Sequence, residues 1–303
     1  MDTALNTGRR DRVIVTGASS QLGVFLLPRL QAAGFRVLAL SRNAPASPVD
    51  ISESVRWLRS DKALAPACCL VSCGPLELAR TLAEQTSGLQ RVVAFSTSSV
   101  LTKARSDNPE ESRQMAEILA HERLLRATCD IQGIALALIR PTMIYGCGLD
   151  RNISLLAAFG RRFGFIPVSS SAGGLRQPVH ADDLAALALA CLSSETALSL
   201  ESVACGGSTL SYCKMMEKTA AAGGKDVSIL KLNPRLFSFA ASLASLVPGF
   251  KGLNPEMVRR QGRDMVFDDS ELREKLNYQP RPFEPAPADL QVPGFARELQ
   301  LTG

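Results

Sequence analysis

Val13-Ile14-Val15-Thr16-Gly17-Ala18-Ser19-Ser20-Gln21-Leu22-Gly23 is an apolar run that breaks into small residues and reopens with a helical pattern. A turn at Gly17 lets the backbone approach a pyrophosphate. The first N–H groups of the new helix then face the phosphate charge, and Gly23 lets that helix pack on the strand. The stretch reads as the opening of a dinucleotide site, with Gly17, Ser19, Ser20, Gln21, Leu22 and Gly23 as candidate contacts. The middle glycine of the usual spacing is replaced by Ser20 or Gln21, according to the register chosen, so an ordinary βα turn without ligand is the competing reading. A second apolar run, Arg36 to Leu40, is followed by Ser41-Arg42. An acid at this point accepts from the ribose 2′-OH of NAD, whereas an Arg accommodates a 2′-phosphate. Arg42 therefore favours NADP(H) over NAD(H), the alternative being a solvated loop arginine.

The elements that must position these groups alternate. Strands are predicted at 12–16, Arg36–Leu40, Val55–Arg59, Ala67–Ser72, Arg91–Phe95 and Ile134–Ile139, with helices at Gln21–Ala33, which Pro28 should kink, and at Glu111–Thr128. Apolar rather than alternating strands, separated by helices, indicate a parallel sheet covered on both faces. Ligands of such sheets sit beyond the carboxyl ends of the strands, where Gly17, Arg42, Asp61, Gly74 and Thr97 would lie.

Composition narrows the class. A chain of 303 residues with 46% hydrophobic content suffices for one large or two modest domains. The 34 Lys and Arg against 29 Asp and Glu give +5, spread without runs, which argues against nucleic acid as partner and suits anionic ligands. The 8 Cys show no C-x-x-C pairs and the 2 His no zinc spacing, so no metal is expected and a reduced, cytoplasmic protein is the simplest assignment. Met1 to Asp11 is polar, reads as a flexible N-terminus and contains no signal-peptide h-region.

TGASSQLG, FSTSSV at 95–100, IRPTMIYG at 139–146 and LRQPVHADDLA at 175–185 together resemble the short-chain dehydrogenase/reductase superfamily. Within it the chain looks like the extended NAD(P)-dependent epimerase/dehydratase branch, in order from Arg12 to about Phe283. The resemblance implies an α/β fold: a Rossmann-type doubly wound parallel sheet with a smaller C-terminal α/β substrate-side domain. It implies that Pro141 and Tyr145 line the nicotinamide side, that Asp61 meets the adenine, and that Cys73 and Gly74 meet the adenosine ribose. Arg176 and His180 fall in the motif from which extended members draw a diphosphate contact and a structural His on the substrate side. Thr97 matches the catalytic Ser/Thr.

The family's chemistry is run by a Tyr and a Lys four residues later, the Lys lowering the Tyr pKa and holding the ribose. The helix here reads Ser112-Arg113-Gln114-Met115-Ala116-Glu117-Ile118-Leu119-Ala120-His121-Glu122, and aligning Glu122 with an acid common in the family puts Gln114 and Ile118 at those two positions. Gln114, Glu117 and His121 share a helix face, and His121 could exchange a proton near neutral pH, although a surface role is the simpler reading. Lys103 is a further stand-in. Ser98 and Ser99, where the dehydratases carry acids, disfavour dehydration.

Residues 12–146 thus form the expected dinucleotide-binding core. Residues 147–303 form a mainly substrate-side region, with about 175–205 returning to the core. In it, helices are expected at Asn152–Phe163, Asp182–Leu192, from Ser211, and at Asp268–Leu276, and Arg161 and Arg162 are expected to face an anion together with Arg176. Leu236 to Val247 is apolar, too short to span a bilayer, and expected to be a buried or interface helix, so no transmembrane segment is read. Two functions follow: an NADP-linked oxidoreductase or epimerase acting on a carbonyl or nucleotide-sugar-like small molecule, or a non-catalytic dinucleotide-binding protein with a structural, assembly or sensing role and a protein partner. Either would be a monomer or homodimer.

Overall fold

The computed structural model describes residues 12–42, 49–52, 54–59, 65–103, 108–150, 152–194, 199–224, 227–244 and 255–293. Asp61 and residues 1–11 and 245–247 lie outside the described residues. In chain order the elements are β1 (Arg12–Thr16), α1 (Gln21–Ala32), β2 (Arg36–Leu40), β3 (Val49–Ser52), β4 (Val55–Leu58), β5 (Cys69–Ser72), α2 (Leu76–Gln85), β6 (Arg91–Phe95), α3 (Ser99–Thr102), α4 (Pro109–Gln132) and β7 (Ala135–Pro141). They continue with β8 (Ile144–Tyr145), α5 (Ile153–Phe163), β9 (Phe165–Ser169), β10 (Leu175–Arg176), β11 (Val179–His180), α6 (Ala181–Ser193), β12 (Leu200–Ala204), β13 (Leu210–Ser211), α7 (Tyr212–Gly223), β14 (Ser228–Leu232), α8 (Pro234–Ala244), α9 (Pro255–Arg260), α10 (Ser270–Leu276) and a 3₁₀ turn at Pro287–Leu290.

The central sheet runs β12-β7-β6-β5-β1-β2-β4-β3, parallel except for β3, which pairs antiparallel with β4. From β1 the chain builds outward through β2 and β4, then crosses to β5 and builds the other way. The crevice between β1 and β5 is therefore the switch point where ligands of such sheets bind. Alternate strand residues serve opposite faces. Val13 and Val15 pack with Leu26 and Leu30 of α1 and Leu184 and Leu187 of α6, whereas Ile14 packs with Leu82 of α2 and Leu125 of α4. Both faces are buried, which is why these strands read as continuous apolar runs.

Caps set the helix boundaries where these differ from the sequence expectation. Asn108 accepts from the Glu110 and Glu111 N–H groups and Pro109 opens the first turn, while Gly133 at φ 66° closes the other end, so α4 is longer than the expected Glu111–Thr128. Strand β3 has no counterpart among the predicted strands: it is four residues with a register irregularity, too short for a periodic signal. Pro28 sits inside α1 without ending it.

Leu184 and Leu187 of α6 pack in the core of the central sheet, and β12 pairs with β7 at the sheet's edge. A separate core forms around Tyr145, Ile153, Ile166, Tyr212, Met215 and Phe283, while Leu272 of α10 and Tyr278 after it join the core of the central sheet. Of the two expectations for α8, buried or at an interface, burial does not hold for Leu236 and Phe239, which are 60% and 63% exposed in the single chain. No described helix is long and apolar enough to cross a membrane.

Candidate functional site

The glycine turn is held by contacts only glycine permits. Gly17 has φ +63°, and a Cβ on it would stand 2.6 Å from the Cys73 carbonyl oxygen at the end of β5. A Cβ on Gly23 would stand 2.2 Å from the Ala18 carbonyl oxygen, so α1 closes directly on the turn. Ser20 caps α1, its hydroxyl accepting from the Gly23 N–H. The N–H groups of Gln21 and Leu22 are the ones left at this helix start for an anion. The Leu22 side chain is buried in the core, and the Gln21 amide donates to the Gly146 carbonyl at 2.8 Å. Ser19 and Ser41 join the ends of β1 and β2 through their hydroxyls, 2.8 Å apart, and Arg42 beside them is exposed. Cys73 and Gly74 lie across the turn from Gly17. Burial pushes the Cys73 thiol up, which keeps it a neutral wall.

Beyond the ends of β6 and β7 opens a cleft of about 510 Å³ lined in part by Thr97, Lys103, Glu111, Pro141, Arg176 and Arg260. Arg176 is 4% exposed and donates to three backbone carbonyls: Leu175 at 2.8 Å, Arg263 at 2.7 Å and Arg260 at 2.6 Å. Its Cζ lies 5.4 Å from the Tyr212 ring centroid, and its Nε is buried without a partner. Burial holds its pKa below the usual arginine value, since no carboxylate hydrogen-bonds the guanidinium. Arg260 pairs with both oxygens of Glu111, at 2.6 and 3.0 Å, and so ties α9 to the start of α4. Lys103, half-buried after α3, has its pKa lowered by burial and by Arg260, with Glu111 opposing. The other carboxylate of the cleft, Asp150, is taken up by the Asn152 and Ser154 N–H groups at 3.0 and 2.9 Å. Lys103 and Arg176 thus stand beside one ion pair, Arg260–Glu111, and one carboxylate held by backbone N–H groups, which leaves the cleft a net positive charge.

Ser96 and Thr97 also border a second cavity of about 290 Å³, whose wall includes Gly74, Glu77, Ile118 and His121. Thr97 accepts from the Ser99 N–H at 3.2 Å, fixing its hydroxyl at the rim of both spaces. His121 is half-buried and faces this cavity, contrary to the simple surface reading. Gln114 and Glu117 are exposed and border neither space.

Three placements bear on the sequence reading. Tyr145 is 1% exposed, stacked edge-on against His180 and Phe283 at 4.9 and 4.8 Å, and borders neither space. It belongs to the smaller core rather than the nicotinamide side. His180, which the resemblance gave as a structural His on the substrate side, has both ring nitrogens engaged within the protein: its Nδ1 accepts from the Asp182 N–H at 3.0 Å, capping α6, and its Nε2–H faces Asp289 at 3.2 Å. Arg161 and Arg162 are exposed at the last turn of α5, outside the cleft. Glu122, the residue that sets the alignment of the helix, is 1% exposed and grips Arg140 through both oxygens. The cleft contributions of Glu111 and Arg260 carry no sequence signal, because 149 residues separate them.

Comparison with solved structures finds the same fold over most of the chain. MoeE5, solved with UDP-glucuronic acid and NAD, matches with a TM-score of 0.66 at 19% identity, over 95% of this chain and 99% of that one. The UDP-N-acetylglucosamine 4-epimerase of Bacillus cereus matches with a TM-score of 0.65 at 15% identity, over 92% and 94%. The fold is that of the NAD-dependent nucleotide-sugar epimerases and dehydratases. TunA, an NAD-dependent NDP-hexosamine 5,6-dehydratase, shares this fold with a TM-score of 0.63 at 15% identity, over 92% and 96%. A protein of Sinorhizobium fredii described as "Uncharacterized protein y4nG" is 28% identical over 223 residues, 70% of this chain, and the match spans only 54% of that relative's length. No family model matches the chain.

Proposed function

We propose that the protein binds a nicotinamide dinucleotide at the β1–α1 turn, NADP(H) favoured over NAD(H), and receives an anionic, nucleotide-sugar-like ligand in the adjoining cleft. The observation that carries this reading is the buried Arg176, held without a carboxylate partner in a cleft that Lys103, Arg260 and Thr97 share. Gly17, Gly23 and the capped start of α1 fit the dinucleotide's pyrophosphate, and Pro141 and Gly74 border the spaces beside it. Exposed Arg42, beside the Ser19–Ser41 pair, is available to a 2′-phosphate.

The bound dinucleotide supplies hydride chemistry. For a carbonyl substrate, Thr97 can hydrogen-bond the oxygen, and Lys103, its pKa lowered, is the ionisable side chain of the cleft best suited to move a proton. Binding without turnover is the second reading. It is favoured by Ile118, apolar in the second cavity where the superfamily's Lys would stand, and by Gln114, exposed where its Tyr would stand.

Titration calorimetry with NADPH and NADH tests the cofactor reading. Arg42→Ala should weaken NADPH by about 5- to 100-fold, the worth of one charged hydrogen-bonding contact, and leave NADH nearly unchanged. Equal losses for the two, or no binding of either by the unmodified protein, would sink it.

A further inference from the structure

The outer layer of the smaller core has a one-sided charge pattern. Between Asp150 and Asp182, and again between Asp226 and Glu256, the sequence places Arg and Lys but no acidic residue, although the chain as a whole has 29 Asp and Glu. The first run contains α5 and β9, the second β14 and α8, and the two strands pair in parallel. Ile166, Val168 and Ile229 turn into the smaller core with α5 and α7, so the residues that alternate with them, Leu230 included, face the other way. Helix α8 lies against β9, and with the inner face taken by α5 and α7 it occupies the outer one. The exposed side of this layer is apolar: Leu236 and Phe239, one helical turn apart on α8, are 60% and 63% exposed, and Leu230 is 42% exposed. Phe163, 49% exposed, stands where the strand pair begins, next to Gly164, whose carbonyl accepts from the Ser228 N–H at 2.9 Å. Arg161, Arg162 and Arg235 are exposed beside these groups, with no carboxylate paired to them among the described residues.

We propose that this face docks on an anionic lipid surface, with α8 lying along the headgroup layer. Large apolar side chains flanked by cations are what an interfacial helix presents to a bilayer: the apolar groups reach the acyl boundary while the cations meet lipid phosphates. The Arg162 Cζ lies 5.6 Å from the Phe163 ring centroid, so a ring at headgroup depth brings a cation with it. At 11 residues α8 is too short to span a bilayer, which makes the contact peripheral. A second copy of the chain is the poorer occupant, because a two-fold contact would set this face against itself, arginine against arginine with no acid on these elements to pair. The surface also adjoins the ligand cleft: α9 packs against α8 and ends at Arg260 in the cleft wall, so docking brings the cleft close to the lipid.

Co-sedimentation with vesicles of phosphatidylcholine alone, and of about three parts phosphatidylcholine to one of phosphatidylserine, tests the proposal. The unmodified protein should sediment with the mixed vesicles and bind phosphatidylcholine alone at least about tenfold more weakly, since each cation near an anionic surface is worth about fivefold. Leu236→Ser combined with Phe239→Ser should weaken binding to the mixed vesicles at least about tenfold, and Arg235→Gln about fivefold, with Tm unchanged within about 1 °C. The single Trp, Trp57, is 2% exposed, so Phe239→Trp adds a reporter at the surface. Its emission should shift to the blue on mixed vesicles and be quenched by brominated acyl chains. No sedimentation of the unmodified protein with either vesicle would overturn the proposal. So would full binding by the double serine variant, or a Phe239→Trp emission that vesicles leave unchanged. Self-association in place of vesicle binding, seen by sedimentation velocity and lost in the double serine variant, would assign the face to a second copy and overturn the lipid reading.

Discussion

Arg176→Leu is the substitution on which the cleft's reading turns. The guanidinium donates to the carbonyls of Leu175, Arg260 and Arg263, and hydrogen bonds from charged donors are worth about 1.5–3 kcal/mol each, about 5–9 kcal/mol in all. Against this stands the burial of a cation without a carboxylate partner, a cost of several kcal/mol. Leucine removes both effects and adds about 2 kcal/mol of apolar burial. It also strands three carbonyls, of which those on Arg260 and Arg263 lie in a part-exposed segment where water can relieve them. The net expectation is a loss of about 2 kcal/mol, or about 3–6 °C in Tm by scanning fluorimetry. Binding should suffer more. Without the guanidinium to meet a phosphate, the cleft should hold UDP, the simplest nucleotide-diphosphate probe, about 10- to 100-fold more weakly by calorimetry. NADH binding stays as the control for folding, and Arg176→Lys, which keeps the charge but not the fork, should fall between. If Arg176→Leu moves Tm by less than about 1 °C and leaves UDP affinity unchanged, the guanidinium is neither anchor nor anion contact and the reasoning fails.

The remaining expectations concern the turn, the ion pairs and the chemistry. Gly23→Ala must push α1 off the Ala18 carbonyl, now 2.2 Å from where the Cβ would sit, and should abolish measurable NADPH binding; unchanged affinity would show that the turn is not the phosphate site. Asp182 and Asp289 are pushed up by burial but held lower overall, by Arg29 and Arg281 for the first and by His180 and the Ala286 N–H for the second. Both therefore bind protons less readily folded than unfolded, and the stability they contribute is present above about pH 4 and lost as pH falls below it. Urea midpoints measured from about pH 6 to 3 should drop steeply, and Asp182→Asn should flatten that slope. Glu122→Gln leaves Arg140 with Glu201 alone and should cost about 2–4 kcal/mol in urea unfolding, since Glu122 is the buried half of the pair. NADPH oxidation with simple aldehydes, ketones or UDP-sugars is expected to be very slow or absent, lacking the roughly 10²–10⁴-fold that a positioned acid typically supplies. Robust turnover that survives Thr97→Ala but is lost in Lys103→Ala or His121→Ala would refute this.

The parts legible in the sequence are those in which residues near one another in the chain decide the structure. Continuous apolar runs flanked by glycine turns mark strands buried on both faces, and Gly17 to Gly23 specify their turn because the close approaches they permit are local or reach only the next strand. Arg42 likewise follows directly from where β2 ends. Tertiary structure decides which side chains face the ligand spaces. Tyr145 and His180 sit in a motif that suggests the cleft, yet both turn inward, because Phe283 and Asp289, more than a hundred residues further on, offer them an aromatic edge and a carboxylate. His121 and Gln114 occupy one helix face by spacing, but the ends of β5 and β6 pack only under the His121 end, so one borders a cavity and the other meets solvent. Arg176 becomes a cleft cation only when the segment Arg260–Arg263 folds back to supply its carbonyls, and Arg260 only when Glu111 receives it. Spacing along a helix or strand fixes the direction of a side chain relative to its own element, whereas burial, charge pairing and cavity walls depend on what other elements bring against it.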